Sequence, residues 1–214
     1  MKVRIGGIIK TSLIDYPGKI SSVIFFQGCN FRCRYCYNLD VVLPERFSEP
    51  IPVKKIFDFL SKRKKLIDGV VLLGGEPLVQ ESIEEFAKKI KEMGFLVKLD
   101  TNGSKFEKLK RMVEKGLVDY VAMDVKAPLD FESYHNVTKC SKKDFEGVLK
   151  SIQFLKNSKI EYEFRTTLAP GLVEPKDVLK IVRQIGKAKR FAIQNFFSEA
   201  PAYIDESFLG KKPY

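Results

Sequence analysis

Val70-Val71-Leu72-Leu73-Gly74-Gly75-Glu76-Pro77 is a short apolar run that ends abruptly in two glycines, an acid and a proline. Four apolar residues in a row, with no polar alternation, suit a strand covered on both faces, as in a parallel sheet flanked by helices. Outward from this run the same unit repeats. Upstream, Ile56, Phe59 and Leu60 give a helical face starting at Val53, and residues 20–26 form an earlier apolar strand. Downstream, Ser82 with Glu85 reads as a capping box before the face Ile83, Phe86, Ala87 and Ile90, and Gly94 is its stop. Residues 95–99 are the next strand, followed by a helix opened by Ser104 with Glu107 and facing inward on Phe106, Leu109 and Val113. Strands at 120–123, 160–168 and 191–194 complete the series, separated by a helix over 143–156 and one that Pro175 opens and Gly186 ends.

Six strands each separated by a helix imply right-handed crossovers, an α/β class and, once curled, a partial (β/α)6 parallel barrel. The 214 residues suit a single domain over 1–214, with an extension at 1–19, the barrel at 20–197 and an irregular tail at 198–214. Within the extension, residues 2–9 read as a short edge strand, and Asp15-Tyr16-Pro17-Gly18 as a turn. A hydrophobic content of 44%, with no bilayer-length apolar stretch and no signal-peptide core, makes the cytoplasm the expected compartment. The net charge of +11 raises the question of nucleic acid. The densest runs, at 62–65, 142–143 and 187–190, lie at helix ends with acids interspersed, so a solvated surface is the first reading, an acidic partner the second and nucleic acid the last.

In parallel α/β folds functional groups gather at the carboxyl ends of the strands. After the first core strand comes Gly28-Cys29-Asn30-Phe31-Arg32-Cys33-Arg34-Tyr35-Cys36-Tyr37-Asn38, which holds three of the four cysteines. Thiolates at this spacing can take three corners of a [4Fe–4S] cubane and leave the fourth iron open. Structural zinc completed by Cys140 or His135 is the competing reading, although zinc ribbons pair two Cys-x2-Cys motifs and only one is present. An odd count in the loop argues against disulfides. Gly74-Gly75-Glu76-Pro77 follows the second strand, where glycine admits close backbone approach to a ligand, or simply makes a turn. Asp100-Thr101-Asn102-Gly103 and Asp124-Val125-Lys126 follow the next two, with Arg165 and Thr167 towards the end of the fifth and Gln194-Asn195 at the sixth. The aspartates could supply hard oxygen to a cation or merely cap the segments after them, and Lys126 could neutralise a carboxylate or point to water. His135 and Cys140 read as surface residues in an irregular stretch.

Cys29-x3-Cys33-x-Tyr35-Cys36 together with Gly74-Gly75-Glu76-Pro77 resembles the radical S-adenosylmethionine (SAM) superfamily. The stretch Lys10-Thr11-Ser12-Leu13-Ile14-Asp15-Tyr16-Pro17-Gly18, the pair Tyr37-Asn38, Thr101-Asn102-Gly103 and Met123-Asp124-Val125-Lys126 are similar to the glycyl-radical-enzyme activating proteins, in particular those of anaerobic ribonucleoside-triphosphate reductase. The likeness runs over nearly the whole chain before the tail. It implies that Cys29, Cys33 and Cys36 hold a [4Fe–4S] cluster whose open iron binds the methionine part of SAM. Tyr35 and, through its strand end, Gln194 would lie near the adenine. Asn38 and the Gly74, Gly75, Glu76, Pro77 segment join the SAM site, and Lys126 contacts the SAM carboxylate or ribose. By similarity to pyruvate formate-lyase activase, Asp100, Thr101, Met123 and Asp124 would hold a monovalent cation beside SAM.

The implied chemistry is one-electron cleavage of SAM, giving a 5′-deoxyadenosyl radical that takes a hydrogen from a glycine of a partner enzyme. A flavodoxin- or ferredoxin-like donor would supply the electron. Pyruvate formate-lyase activase has histidine before the asparagine that follows the third cysteine, where this chain has Tyr37, and no further cysteine sets offer auxiliary clusters. The rivals are a radical SAM enzyme acting on a small molecule or RNA, and a non-catalytic iron–sulfur or zinc module.

Overall fold

One sheet of seven strands carries the fold, and the computed structural model describes all 214 residues. Strands β1 (Ile5–Ser12), β2 (Ser21–Phe26), β3 (Gly69–Gly74), β4 (Leu96–Thr101), β5 (Tyr120–Asp124), β6 (Glu161–Leu168) and β7 (Phe191–Asn195) lie side by side in chain order. β1 runs antiparallel to β2, with Ile8 opposite Ile24. The other five pairings are parallel, so the expected series of six βα strands is present, with one antiparallel strand added at its edge. That edge strand begins later than expected and runs on to Ser12.

The helices are α1 (Leu39–Val42), α2 (Val53–Ser61), α3 (Ile83–Glu92), α4 (Phe106–Glu114), α5 (Phe131–Thr138), α6 (Lys142–Asn157) and α7 (Pro175–Ile185). Alternation along the strands sorts the core into two parts. Ile24, Leu72, Val97, Val121 and Phe164 belong to the large cluster that also takes in Phe86, Ile90, Leu109, Val148 and Ile181 of the helices. The intervening residues Val23, Val71 and Ala122 make a small second cluster with Tyr16 and Tyr120. The Tyr16 and Tyr120 rings lie 5.9 Å apart, although Tyr16 precedes β2 and Tyr120 opens β5. Strands about 4.8 Å apart would separate them by roughly 14 Å in a flat sheet. The sheet is therefore curled, with Tyr16 closing the amino-terminal end of its hollow.

Several local expectations change. Ser82 precedes α3 but does not cap it, because its Oγ accepts the Lys2 N–H at 3.0 Å. Ser104 does not open α4 either, which starts after Lys105, and its Oγ accepts from the Asn30 side chain at 2.8 Å. Side-chain caps instead come from Asp130 at α5 and Ser141 at α6, with a reciprocal Glu174–Asp177 pair at α7. α5 occupies a stretch read as irregular; only Tyr134, Val137 and Thr138 face inward, too few for a clear helical period. The tail is less irregular than expected. Phe196, Tyr203 and Phe208 pack together, with the first two rings stacked at 5.1 Å. No helix is long and apolar enough to cross a membrane.

Candidate functional site

The cysteine loop leaves β2 at Gly28, whose φ of 105° suits a residue without a side chain. Its backbone is tied on every side. Gly28 N–H donates to the Val41 carbonyl at 2.7 Å, and Glu76 N–H to the Gly28 carbonyl at 2.8 Å. Arg32 and Arg34 N–H groups donate to the carbonyls of Thr138 and Val137 at the end of α5, at 2.8 and 3.0 Å. From the tail, Ile204 and Asp205 N–H groups reach the carbonyls of Cys36 and Arg34 at 3.0 and 2.9 Å. An Arg34–Asp205 ion pair at 2.8 Å fastens the same junction.

A cavity of about 320 Å³ opens at the carboxyl ends of the strands, within the size range of small-molecule sites. Cys29, Cys33 and Cys36 line one wall, beside Tyr35 and Asn38. Gly74 and Gly75 come next, then Asp100 and Thr101 of β4, Asp124 and Lys126 at β5, and Gln194 of β7. Twelve of the fifteen residues assigned to the site from sequence therefore share one hollow. Glycine is required at 74 and 75 by neighbouring backbone: a Cβ at Gly74 would run into Phe26, and one at Gly75 into the Gly28 carbonyl.

Charged groups at these strand ends form an alternating row. Lys98 Nζ pairs with Asp100 Oδ1. Arg165 joins Asp100 Oδ2 through Nη1 at 2.7 Å and Asp124 Oδ1 through Nε at 2.8 Å. Lys126 Nζ completes it on Asp124 Oδ2 at 2.8 Å. Burial alone would raise the Asp124 carboxyl, but Arg165 and Lys126 outweigh it and hold the group well below the ordinary carboxylate range. Burial opposes the charge on Lys126 and Arg165, yet the facing carboxylates, chiefly Asp124, keep both above their usual values. Asp124, Lys126 and Arg165 thus hold one another in their charged forms.

Other assignments move. Glu76 and Pro77 are buried outside the cavity. The Glu76 carboxylate accepts from Leu78 N–H at 3.1 Å, Thr101 Oγ1 at 2.8 Å and Asn102 N–H at 2.7 Å, so it braces the strand ends from behind. Burial pushes its pKa up to about 7, against the pull of these donors. Met123 is buried under Gly103 and does not reach the cavity. The carboxylates assigned to a monovalent cation, Asp100 and Asp124, hold a guanidinium between them because the β5–β6 register sets Arg165 opposite Asp124. Cys140 is not on the surface but 1% exposed. His135 is exposed, on α5, with Nδ1 at 2.8 Å from the Cys140 carbonyl oxygen. Asp15, Asn102, Arg165, Thr167 and Asn195 line the cavity without having been assigned to it. The strand-end position of Arg165, Thr167 and Asn195 was the available signal.

The cysteines suit a cluster better than a single metal ion. No three His, Cys, Asp or Glu side chains come together as one ion would require, whereas a cubane takes each thiolate on a separate iron. All three thiols are free and face one cavity. Burial pushes the Cys29 thiol up to about 12 and raises Cys33 and Cys36 as well, with Lys126 pulling the other way. Such thiols ionise when a strongly cationic group takes them. Tyr35 Oη, buried in the same wall, has no hydrogen-bond partner in the protein, as expected of a group that meets a ligand.

Comparison with known proteins agrees with this geometry. The radical SAM superfamily matches residues 23–190. A Methanocaldococcus jannaschii protein provisionally named a glycyl-radical enzyme activating enzyme is 38% identical over 97% of this chain and 85% of its own length. The pyruvate formate-lyase-activating enzyme of Clostridium pasteurianum is 29% identical over 87% of this chain and 80% of its own. Among solved structures, Streptococcus suis SuiB bound to S-adenosylmethionine superposes with a TM-score of 0.62 at 18% identity, over 87% of this chain but only 41% of that one, a likeness of fold. A superfamily match across most of the barrel and a relative this similar over nearly the full length show that the chain belongs to the radical SAM superfamily and, within it, to the glycyl-radical-enzyme activating enzymes.

Proposed function

We propose that this radical SAM enzyme holds its cluster on Cys29, Cys33 and Cys36 and installs a glycyl radical on a partner enzyme, anaerobic ribonucleoside-triphosphate reductase, with electrons from a flavodoxin- or ferredoxin-like donor. The observation that carries the reading is the gathering of the three cysteines with Asp100, Asp124, Lys126 and Gln194 in one cavity. The likeness at residues 10–18, 37–38, 101–103 and 123–126 supports the choice of partner.

When bound, the [4Fe–4S] cluster and SAM of the superfamily supply the one-electron cleavage that yields a 5′-deoxyadenosyl radical. The protein's part is to position and to exclude water. Three thiolates would hold the cluster on a loop that α5 and the tail tie down through backbone hydrogen bonds. The backbone at Gly74 and Gly75, braced by Glu76, offers acceptors to the SAM ammonium. Lys126 brings a positive charge to the SAM carboxylate or ribose, its own position fixed by Asp124. Tyr35 Oη and Gln194 serve the adenine end. At the mouth, Tyr37 and Phe197 lie 5.1 Å apart and narrow the opening through which solvent would enter.

The test is anaerobic incubation of the reconstituted protein with SAM, a reductant and the candidate partner, read by EPR. A glycyl radical on the reductase is expected. A radical on pyruvate formate-lyase alone would reassign the partner, and SAM cleavage with no radical on either would exclude both as the partner.

A further inference from the structure

Of the four positions matched to a monovalent-cation site beside SAM, none offers a free side chain. Both oxygens of Asp100 accept from cations, Oδ1 from Lys98 and Oδ2 from Arg165 at 2.7 Å. Both oxygens of Asp124 do likewise, Oδ1 from Arg165 and Oδ2 from Lys126, each at 2.8 Å. Thr101 Oγ1 donates to Glu76 at 2.8 Å and accepts the Gly103 N–H at 3.1 Å. Met123 packs against Gly103, where even an added Cβ would collide with it. Every oxygen of the two carboxylates is already paired, so an alkali ion could reach them only by displacing Lys98, Arg165 or Lys126. A monovalent cation does not fit.

We propose that the Arg165 guanidinium is a built-in replacement for that cation, making SAM binding by this enzyme independent of potassium and sodium. A guanidinium is permanently charged and presents a planar fork, so one side chain spans two carboxylates in a fixed geometry. Parallel pairing sets Arg165 opposite Asp124, and its side chain crosses β5 to Asp100 on β4. Unlike a dissolved ion, it is present at one equivalent whatever the salt. The inference rests on the SAM site proposed above, and it makes Arg165 a positioning residue for the two aspartates.

The experiment measures SAM affinity of the anaerobically reconstituted protein by equilibrium dialysis in tetramethylammonium, sodium and potassium chloride at equal ionic strength. The melting temperature of the cluster-free protein is followed in the same salts. Wild-type affinity is expected to agree within twofold across the salts, and the melting temperature to stay level. In Arg165→Ala the two carboxylates lose their shared cation. SAM affinity should fall at least tenfold in tetramethylammonium and recover saturably in potassium or sodium, and the cluster-free variant should be stabilised by the same ions. A saturable gain of threefold or more in wild-type affinity from either alkali ion would overturn the proposal, whether or not the variant folds. So would a folded Arg165→Ala whose affinity and melting temperature ignore both ions. Loss of SAM binding by the wild type in every salt would instead count against the SAM site itself.

Discussion

Glu76 shows how a residue of a recognised motif acts without touching the cavity. Its carboxylate is fully buried and collects three donors that fix the ends of β3 and β4. Its pKa is about 7 in the folded protein against an ordinary 4.5. Because the folded value is raised, the site favours folding most at low pH and loses that advantage as pH climbs from about 4.5 to about 7, by roughly 3 kcal/mol at 1.36 kcal/mol per unit. Glu76→Gln removes the titration. Thermal melts at pH 5 and pH 8 should therefore show the wild type losing stability relative to this variant at the higher pH. The cysteines give a second contrast. Cys33→Ala should lose bound iron and SAM cleavage altogether. Cys140→Ala should keep both and lose about 1 kcal/mol of stability, the cost of a small buried group. Iron content and denaturant melts separate the two, and failure of cluster assembly in Cys140→Ala would mean a fourth ligand.

Elements whose pattern is set locally were legible in the sequence, and those set by tertiary bonds were not. Most of the six parallel strands announce themselves as short, largely apolar runs, residues 161–168 by alternation instead, and every one lies within two residues of its expected bounds. The location of the cavity was legible for the same reason, since a parallel sheet brings all carboxyl ends to one side, whereas most of its twelve residues were picked out by the likeness to the radical SAM proteins. α5 and the tail lack such a pattern, yet both hold the cysteine loop through carbonyls and N–H groups that any residue could supply. Arg165 was visible as a strand-end residue, but its place between two aspartates depends on the β5–β6 register, which a single strand does not encode. The role given to the tail can be checked. Phe208 is 1% exposed and packs on Phe196 and Tyr203. Its truncation would cost about 3–5 kcal/mol in a core that could not detach. The tail has no strand or long helix of its own and can release from the barrel instead, so Phe208→Ala should lower the global melting temperature only slightly. Hydrogen exchange should accelerate at the Ile204 and Asp205 amides, and the cysteine loop should retain its iron less well.

Across the whole molecule, the cavity joins parts of the sheet that the chain leaves far apart. One wall is the loop after β2, and the other includes Gln194 and Asn195 of β7, an edge strand paired only with β6. Residues 193–195 are exposed, so this edge has little packing of its own to hold it. A ligand reaching from the cysteine wall to Gln194 would add contacts where the protein has fewest, and its stabilisation should appear at both ends. SAM at about a hundred times its dissociation constant would add about 2.7 kcal/mol, a rise of roughly 5–10 °C for a domain of this size. The cluster-loaded protein should show that shift on adding SAM, with slower amide exchange both in residues 28–38 and in β7. Protection confined to the cysteine loop would move the adenine away from Gln194. Protection at both ends would mean that the curled sheet closes on its cofactor as one unit, with β7 ordered by the molecule it helps to bind.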